Sequence, residues 1–274
     1  MISPATSKPD RPKGGTTTDD FLGGRIAIEQ PKAGHRAGSD AVFLAAAVEA
    51  RVGESVLDAG AGVGVAGLCL LARLPRLAVT AVEIDPRLCA LAASNAARNG
   101  LADRFTVIVA DVAARAAVLR AAGLVPAAYD HVIANPPFHT EGEVRAAPEP
   151  SRAMAHVMGQ GGLAAWVRFL AAMAAPKGTM TMIHRPECLG ALLGLLEGRF
   201  GDVAVFPLFP KADASATRII VRGRKGSRAA PRLLPGLVLH GPGGDYTAEA
   251  EAVLRGGEAL WLASDKRKGR RLGG

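Results

Sequence analysis

Apolar and polar positions along this chain follow two rhythms that replace each other several times. Short apolar runs, Ser55–Ala59, Leu77–Ile84, the alternating Arg104–Ala110, Tyr129–Ala134 and Thr179–Ile183, predict strands. Between them, stretches with wider spacing predict helices over Val65–Arg73, Pro86–Asn99, Val112–Ala122, Leu163–Ala175 and Glu187–Leu196. Pro86 opens one of these and Gly100 stops it, while Pro176 and Gly178 stop the fourth. Val203–Phe206 and Arg218–Val221 read as two more strands with no helix between them. Strands alternating with helices predict a doubly wound, mostly parallel α/β sheet. Two final strands joined without a crossover predict a C-terminal antiparallel hairpin. No internal repeat is visible, so two matching βαβαβ halves are not expected.

The strand ends carry the polar residues. Asp58 closes the first strand, and Gly60, Gly62 and Gly64 lead from it into the first helix. Glu83, Asp111 and Asn135 close the next three strands. Ligands of such sheets sit outside the carboxyl ends of the strands, so four polar ends facing one crevice predict a binding site. Glu83, 25 residues after Asp58, suits a carboxylate that accepts both ribose hydroxyls of an adenosine, and Asp111 could receive the adenine amino group. Gly62-Val63-Gly64-Val65-Ala66-Gly67 also spells the G-x-G-x-x-G fingerprint, which allows a dinucleotide-binding oxidoreductase. A carboxylate at position 58 would repel a pyrophosphate, whereas a sulfonium–amino-acid cofactor would favour it.

Asn135-Pro136-Pro137-Phe138 follows the fourth strand. Two prolines fix φ twice and remove two N–H donors, so the strand must give way to a stiff extended turn. Either this is simply a rigid turn, or it is a site. As a site, Asn135 Oδ1 and the Pro136 carbonyl could each accept one N–H of an exocyclic amine. That would aim the nitrogen lone pair for in-line displacement, with Pro137 stiffening the loop. Phe138 would stack on the substrate ring or anchor the loop in the core. His139 reads as a surface or phosphate-contacting residue. The loop resembles the catalytic loop of S-adenosylmethionine-dependent methyltransferases that modify exocyclic or amide nitrogens, and the dinucleotide reading leaves it without a role.

Composition narrows the picture. The 274 residues carry a formal net charge of +8 and a pI near 9.9. No acidic residue occurs from Ala214 to Gly244, where Arg218, Arg222, Arg224, Lys225, Arg228 and Arg232 lie, and a further basic run closes the chain. Such clustering points to nucleic acid, the alternative being scattered surface arginines. No window suits a membrane span and the first fifteen residues contain no apolar signal core, so a cytoplasmic protein is expected. Cys69, Cys89 and Cys188 are too far apart for a disulfide framework or a zinc site and read as buried small hydrophobes, with no metal expected. Trp166 and Phe169 read as core, His131 as a satisfied core histidine, and His184-Arg185 as a strand end near the crevice.

Taken together, these residues resemble the bacterial tRNA(Val) adenine-N6-methyltransferases, which modify the adenine immediately 3′ of the anticodon. That family's Gln-x-x-x-Gly-Tyr-Arg-x-x-x-Asp pattern stands here as Gln30, Gly34, Arg36 and Asp40, with His35 in place of the tyrosine and an apolar helix following. The resemblance runs from Asp20 to about Gly256. It implies a Rossmann-like class I fold with a mostly parallel seven-stranded sheet and an antiparallel C-terminal hairpin. It also implies one domain over residues 20–256, with residues 20–50 folding over the cofactor, flanked by tails at 1–19 and 257–274. The implied cofactor is S-adenosyl-L-methionine, contacted by Gln30, Gly34, Arg36, Asp40, Asp58, Gly60, Gly62, Gly64, Glu83 and Asp111. The implied partner is tRNA, and the loop chemistry and basic clustering make Phe138, His139, Arg152, Arg168, Arg218, Arg222, Arg224 and Lys225 its expected contacts. The Asn-Pro-Pro-aromatic loop is shared with guanine-N2, cytosine-N4 and protein glutamine methyltransferases, so those substrates stay open. A non-catalytic RNA-binding module that keeps the pocket stays open as well.

Overall fold

A computed structural model describes residues 15–34, 36–137 and 162–262. The expected alternation is present. Strands β3 (Ser55–Ala59), β4 (Ala78–Glu83), β5 (Phe105–Val109), β6 (Tyr129–Ala134) and β7 (Ala174–His184) are parallel neighbours in the order β7-β6-β3-β4-β5. The chain runs outward from β3 through β4 to β5 and then returns to place β6 on the other flank of β3. The topological switch point therefore lies between β3 and β6, where Ala59 pairs with Ala134.

Strands β8 (Phe200–Phe209) and β9 (Arg218–Lys225) form the expected antiparallel pair, but β9 inserts between β7 and β8 and alone runs against the rest. The sheet has nine strands rather than seven. Two-residue strands β10 (Arg232–Leu233) and β11 (Leu237–Val238) add to the β8 edge on either side of Pro235-Gly236. They are too short to leave a periodicity in the sequence.

Helices cover both faces. On one lie α1 (Ser39–Ala46), α2 (Val65–Arg73) and α3 (Pro86–Arg98), with α7 (Ala248–Leu254) beside α1. On the other lie α4 (Ala116–Ala121), α5 (Gly162–Met173) and α6 (Leu189–Leu196). Every residue of α1 from Ala41 to Ala46 is buried, as a helix apolar all round must be. Asp85 caps α3 by accepting from the Arg87 N–H, with Pro86 at the first helical position. Helix α4 is shorter than the expected 112–122, because Asp111 Oδ1 accepts from the Ala113 N–H and holds a turn there instead.

Two features at the ends lie outside the sequence reading. A hairpin of β1 (Thr16–Phe21) and β2 (Ile26–Pro31) starts ahead of the expected boundary at residue 20. Beyond the boundary expected at 256, Leu260 and Leu262 are buried in the α1 core, with the Leu260 N–H donating to the Ala46 carbonyl. Cys69 and Cys89 are buried as expected, whereas Cys188 is only half-buried in a 3₁₀ turn. Among the described residues no helix is long and apolar enough to cross a membrane.

Candidate active site

The glycine loop and the Asn-Pro-Pro turn leave neighbouring strands at the switch point, one residue past Ala59 and one past Ala134. Gly60, Gly62 and Gly64 all have positive φ (65°, 57° and 89°), which lets the chain leave β3, turn and enter α2 within five residues. A Cβ on Gly60 would come within 2.4 Å of the Trp166 ring, so Trp166 packs directly beneath the loop. A Cβ on Gly62 would meet nothing within 4 Å. The open side of the loop is therefore at Gly62.

Glu83 braces this loop. Its Oε2 accepts from the Gly62 N–H at 2.9 Å and its Oε1 from the N–H groups of Ile84 and Asp85 at 2.8 and 3.0 Å. A carboxylate has about four acceptor positions. Three are in use here, which fixes the orientation of the carboxylate. Asp58 lies deeper, 2% exposed, with Oδ2 accepting from the Gly67 N–H in the first turn of α2. Burial pushes its carboxyl up to about 7; the Gly67 bond opposes that rise and the nearby Glu83 adds to it. Asp58 thus acts from below the loop. Asp111 is half-buried past the end of β5, with one oxygen turned to the Ala113 N–H.

Asn135 is half-exposed as a residue, but its Oδ1 is buried and has no hydrogen-bond partner among the described residues. Pro136 beside it is buried. A buried acceptor normally finds a donor in the fold, so an unpartnered one beside the glycine loop is a candidate position for a ligand donor. Phe138, His139 and Arg152, together with His35, lie outside the described residues.

The N-terminal motif folds into a clasp. Gln30, 2% exposed, exchanges a pair of hydrogen bonds with the Ala37 backbone and also donates to Asp19. Arg36 pairs with Asp19 and donates to Thr17. These two side chains hold residues 36–38 to the β1–β2 hairpin, and Gly34 turns the chain with φ of 95°. Asp40, in the first turn of α1, accepts from Arg218 Nε at 2.7 Å.

The expected RNA-contacting arginines separate. Because β9 is antiparallel, Arg218 sits near His184, at the carboxyl end of β7, while Arg224 pairs with Thr179, midway along β7 and level with Val56 near the start of β3. Six residues of strand put roughly 20 Å between them. Arg222 is 9% exposed and paired with Glu49 at 2.7 Å, and Lys225 donates to the Ala174 carbonyl. Arg222, Arg224 and Lys225, expected as RNA contacts, thus lie toward the sheet edge away from Arg218. His131 lies at that edge too, bonded to Thr179 through Nδ1 and to Glu54 through Nε2. Arg168 is exposed on α5.

Sequence reasoning missed Asn95. It is fully buried, and its amide bonds the Glu29 backbone in β2 and the Val63 carbonyl in the glycine loop. Its signal was a polar residue on the buried stripe of α3, one helical step past Leu91 and Ala92.

Residues 36–165 match the family model described as the methyltransferase small domain. A protein of Porphyromonas gingivalis, named tRNA1(Val) (adenine(37)-N6)-methyltransferase, is 27% identical over 244 residues, covering 85% of this chain and 92% of that one. A protein of Shewanella amazonensis with the same name is 30% identical over 145 residues, 53% of this chain and 58% of that one. The Shewanella match thus spans less than two thirds of that relative. The crystal structure of a predicted O-methyltransferase from Agrobacterium tumefaciens superposes with a TM-score of 0.70 at 26% identity, covering 82% of this chain and all of that one.

Proposed function

We propose that this chain is an S-adenosylmethionine-dependent methyltransferase that methylates an exocyclic base nitrogen, namely N6 of an adenine in the anticodon loop of tRNA, 3′ of the anticodon. The observation that carries the nitrogen assignment is Asn135 Oδ1, a buried acceptor with no partner among the described residues, set beside the glycine loop. The RNA assignment draws on the names of the relatives and on the net charge of +8. A cytoplasmic setting follows from a tRNA substrate.

The residues present fit the cofactor. Gly62 opens onto free space, with Glu83 and Asp111 as acids near it and Asp58 buried beneath the loop, a setting that would suit a cationic sulfonium and ammonium. Glu83 would accept a ribose hydroxyl with its remaining lone pair, and the loop around Gly62 would lie along the amino-acid portion. When bound, S-adenosylmethionine supplies an electrophilic methyl group on positively charged sulfur.

The protein's own contribution is positioning. An aromatic amine is a weak nucleophile because its lone pair is delocalised into the ring. Asn135 Oδ1 accepts one of its N–H groups and the Pro136 carbonyl the other, which turns the nitrogen toward sp³ and directs its lone pair. The same two acceptors stabilise the positive charge that develops on nitrogen during transfer. The proton then leaves the product ammonium, so no strong base is required. The two prolines keep both acceptors in place, and Phe138 stacks on the base. Arg218, half-buried at the same rim, contacts the RNA backbone.

The test is methyl transfer from labelled S-adenosylmethionine to bacterial tRNA, rRNA and cell protein, followed by nucleoside and amino-acid analysis. N6-methyladenosine in tRNA is the expected product. Label in rRNA or on protein glutamine would retain the mechanism and reject the substrate. No label in any pool, with the cofactor bound, would reject the catalytic reading.

A further inference from the structure

We infer that Asn95 is a positioning residue for the cofactor loop, tying that loop to the N-terminal hairpin so that the two hold one another in register. Strand β2 pairs with β1 on one edge only. On its other edge the backbone groups of Ala27 and Glu29 face α3, where two asparagines four residues apart act as a substitute strand. Asn99 Oδ1 accepts from the Ala27 N–H at 2.9 Å and its Nδ2 donates to the Ala27 carbonyl at 2.8 Å. Asn95 does the same for Glu29, accepting at 2.8 Å and donating at 3.1 Å. The fit is geometric. Four helical residues rise about 6 Å and two strand residues about 6.6 Å, so the two amides meet alternate strand positions.

The two asparagines differ in one respect. Asn99 spends its spare N–H on the Asn95 carbonyl, inside its own helix. Asn95 spends its spare N–H on the carbonyl of Val63, at 3.1 Å. Val63 lies between Gly62 and Gly64, both at positive φ, where the backbone itself imposes little restraint. Glu83 holds this loop at the Gly62 N–H and Asn95 holds it at the Val63 carbonyl. Asn95 is fully buried, so loss of its amide would leave polar groups without water to replace it. Through Glu29 and the Gln30–Ala37 clasp, the same residue also reaches the segment that leads into α1.

This inference rests on the cofactor assignment but not on the identity of the methylated substrate. The test is calorimetric binding of S-adenosylhomocysteine to full-length wild type, Asn95→Ala, Asn95→Asp and Asn99→Ala, with amide hydrogen exchange on the same samples. Asn95→Ala is expected to weaken binding about tenfold, the worth of one buried hydrogen bond, and to speed exchange around Val63 and Gly64. Asn95→Asp keeps the acceptor for the Glu29 N–H but has no donor for the carbonyls of Val63 and Glu29. It should weaken binding similarly while Glu29 stays protected. Asn99→Ala should loosen the hairpin at Ala27 and change affinity less than about twofold. Wild-type affinity in Asn95→Asp, or an equal loss in Asn99→Ala, would overturn the inference, because hairpin integrity rather than the Val63 contact would then govern binding. If Asn95→Ala does not fold, the Asn95→Asp and Asn99→Ala pair decides alone. No binding by wild type would instead mean that the cofactor reading itself fails.

Discussion

Asn135 carries an acceptor that the described fold leaves unused, and a buried acceptor without a donor costs stability. Asn135→Ala is therefore expected to leave the melting temperature unchanged or raised. It should hold cofactor affinity near wild type and lower methyl transfer on the order of 10²-fold or more. Unchanged turnover in that variant would remove Asn135 from the mechanism. Asp58 makes a pH prediction. Its folded carboxyl titrates near 7 against 3.8 for the free group. From about pH 4 to 7 the folded chain holds a proton that the unfolded chain has released, so this group's contribution to stability falls as pH rises through that window. Three pH units correspond to roughly 4 kcal/mol at full extent. Asn at position 58 keeps an acceptor for the Gly67 N–H and removes the titration. The stability advantage of Asp58→Asn, read from denaturant midpoints, should grow from pH 5 to pH 8, and a constant difference would refute the account.

At the scale of elements, packing decides what the glycine loop tolerates. Gly60 has both a positive φ and the Trp166 ring against it, so Gly60→Ala combines backbone strain with overpacking. A loss of about 1–3 kcal/mol is expected. Trp166→Leu should relieve the steric part, giving a favourable coupling in a double-mutant cycle, whereas strict additivity would show that only φ matters. Trp166 was legible in the sequence as a core residue of its helix. Its position beneath the loop was not, because it depends on how α5 packs against β6 and β7. The strand-end acids were legible for a simpler reason. A parallel strand that ends in a polar residue must present it at the carboxyl edge, so Asp58, Glu83, Asp111 and Asn135 converge once the sheet is parallel. Their partners were not legible. That Glu83 spends three acceptor positions on the backbone, and that Gln30 and Arg36 clasp the hairpin, follows from loop conformations with no sequence period.

For the molecule as a whole, strand direction separates residues that lie within a few positions of each other in the chain. Arg218 stays at the reactive edge, while Arg222 is buried against Glu49 at the other. Arg218→Ala should weaken tRNA binding and reduce the slope of log affinity against log salt by about one, with the fold intact. Arg222→Ala should remove the cation from half-buried Glu49 and cost about 1 kcal/mol of stability, with the salt slope of the folded protein unchanged. The opposite pattern, with Arg222 governing the salt slope, would place RNA on the amino edge of the sheet.

The alternation of apolar runs and helical spacing by itself determined a doubly wound sheet, the antiparallel final pair and the set of polar strand ends, because these depend on local periodicity and on chain direction. Residues 30–40 and the Asn-Pro-Pro-Phe loop carried the family resemblance. Only the tertiary structure decided that β9 inserts between β7 and β8, setting Arg222 and Arg224 apart from Arg218. It alone decided that Asn95 reaches Val63 and Glu29, which lie 32 and 66 residues away in the chain. A hydrogen bond between distant segments is set by packing geometry, which local pattern does not encode.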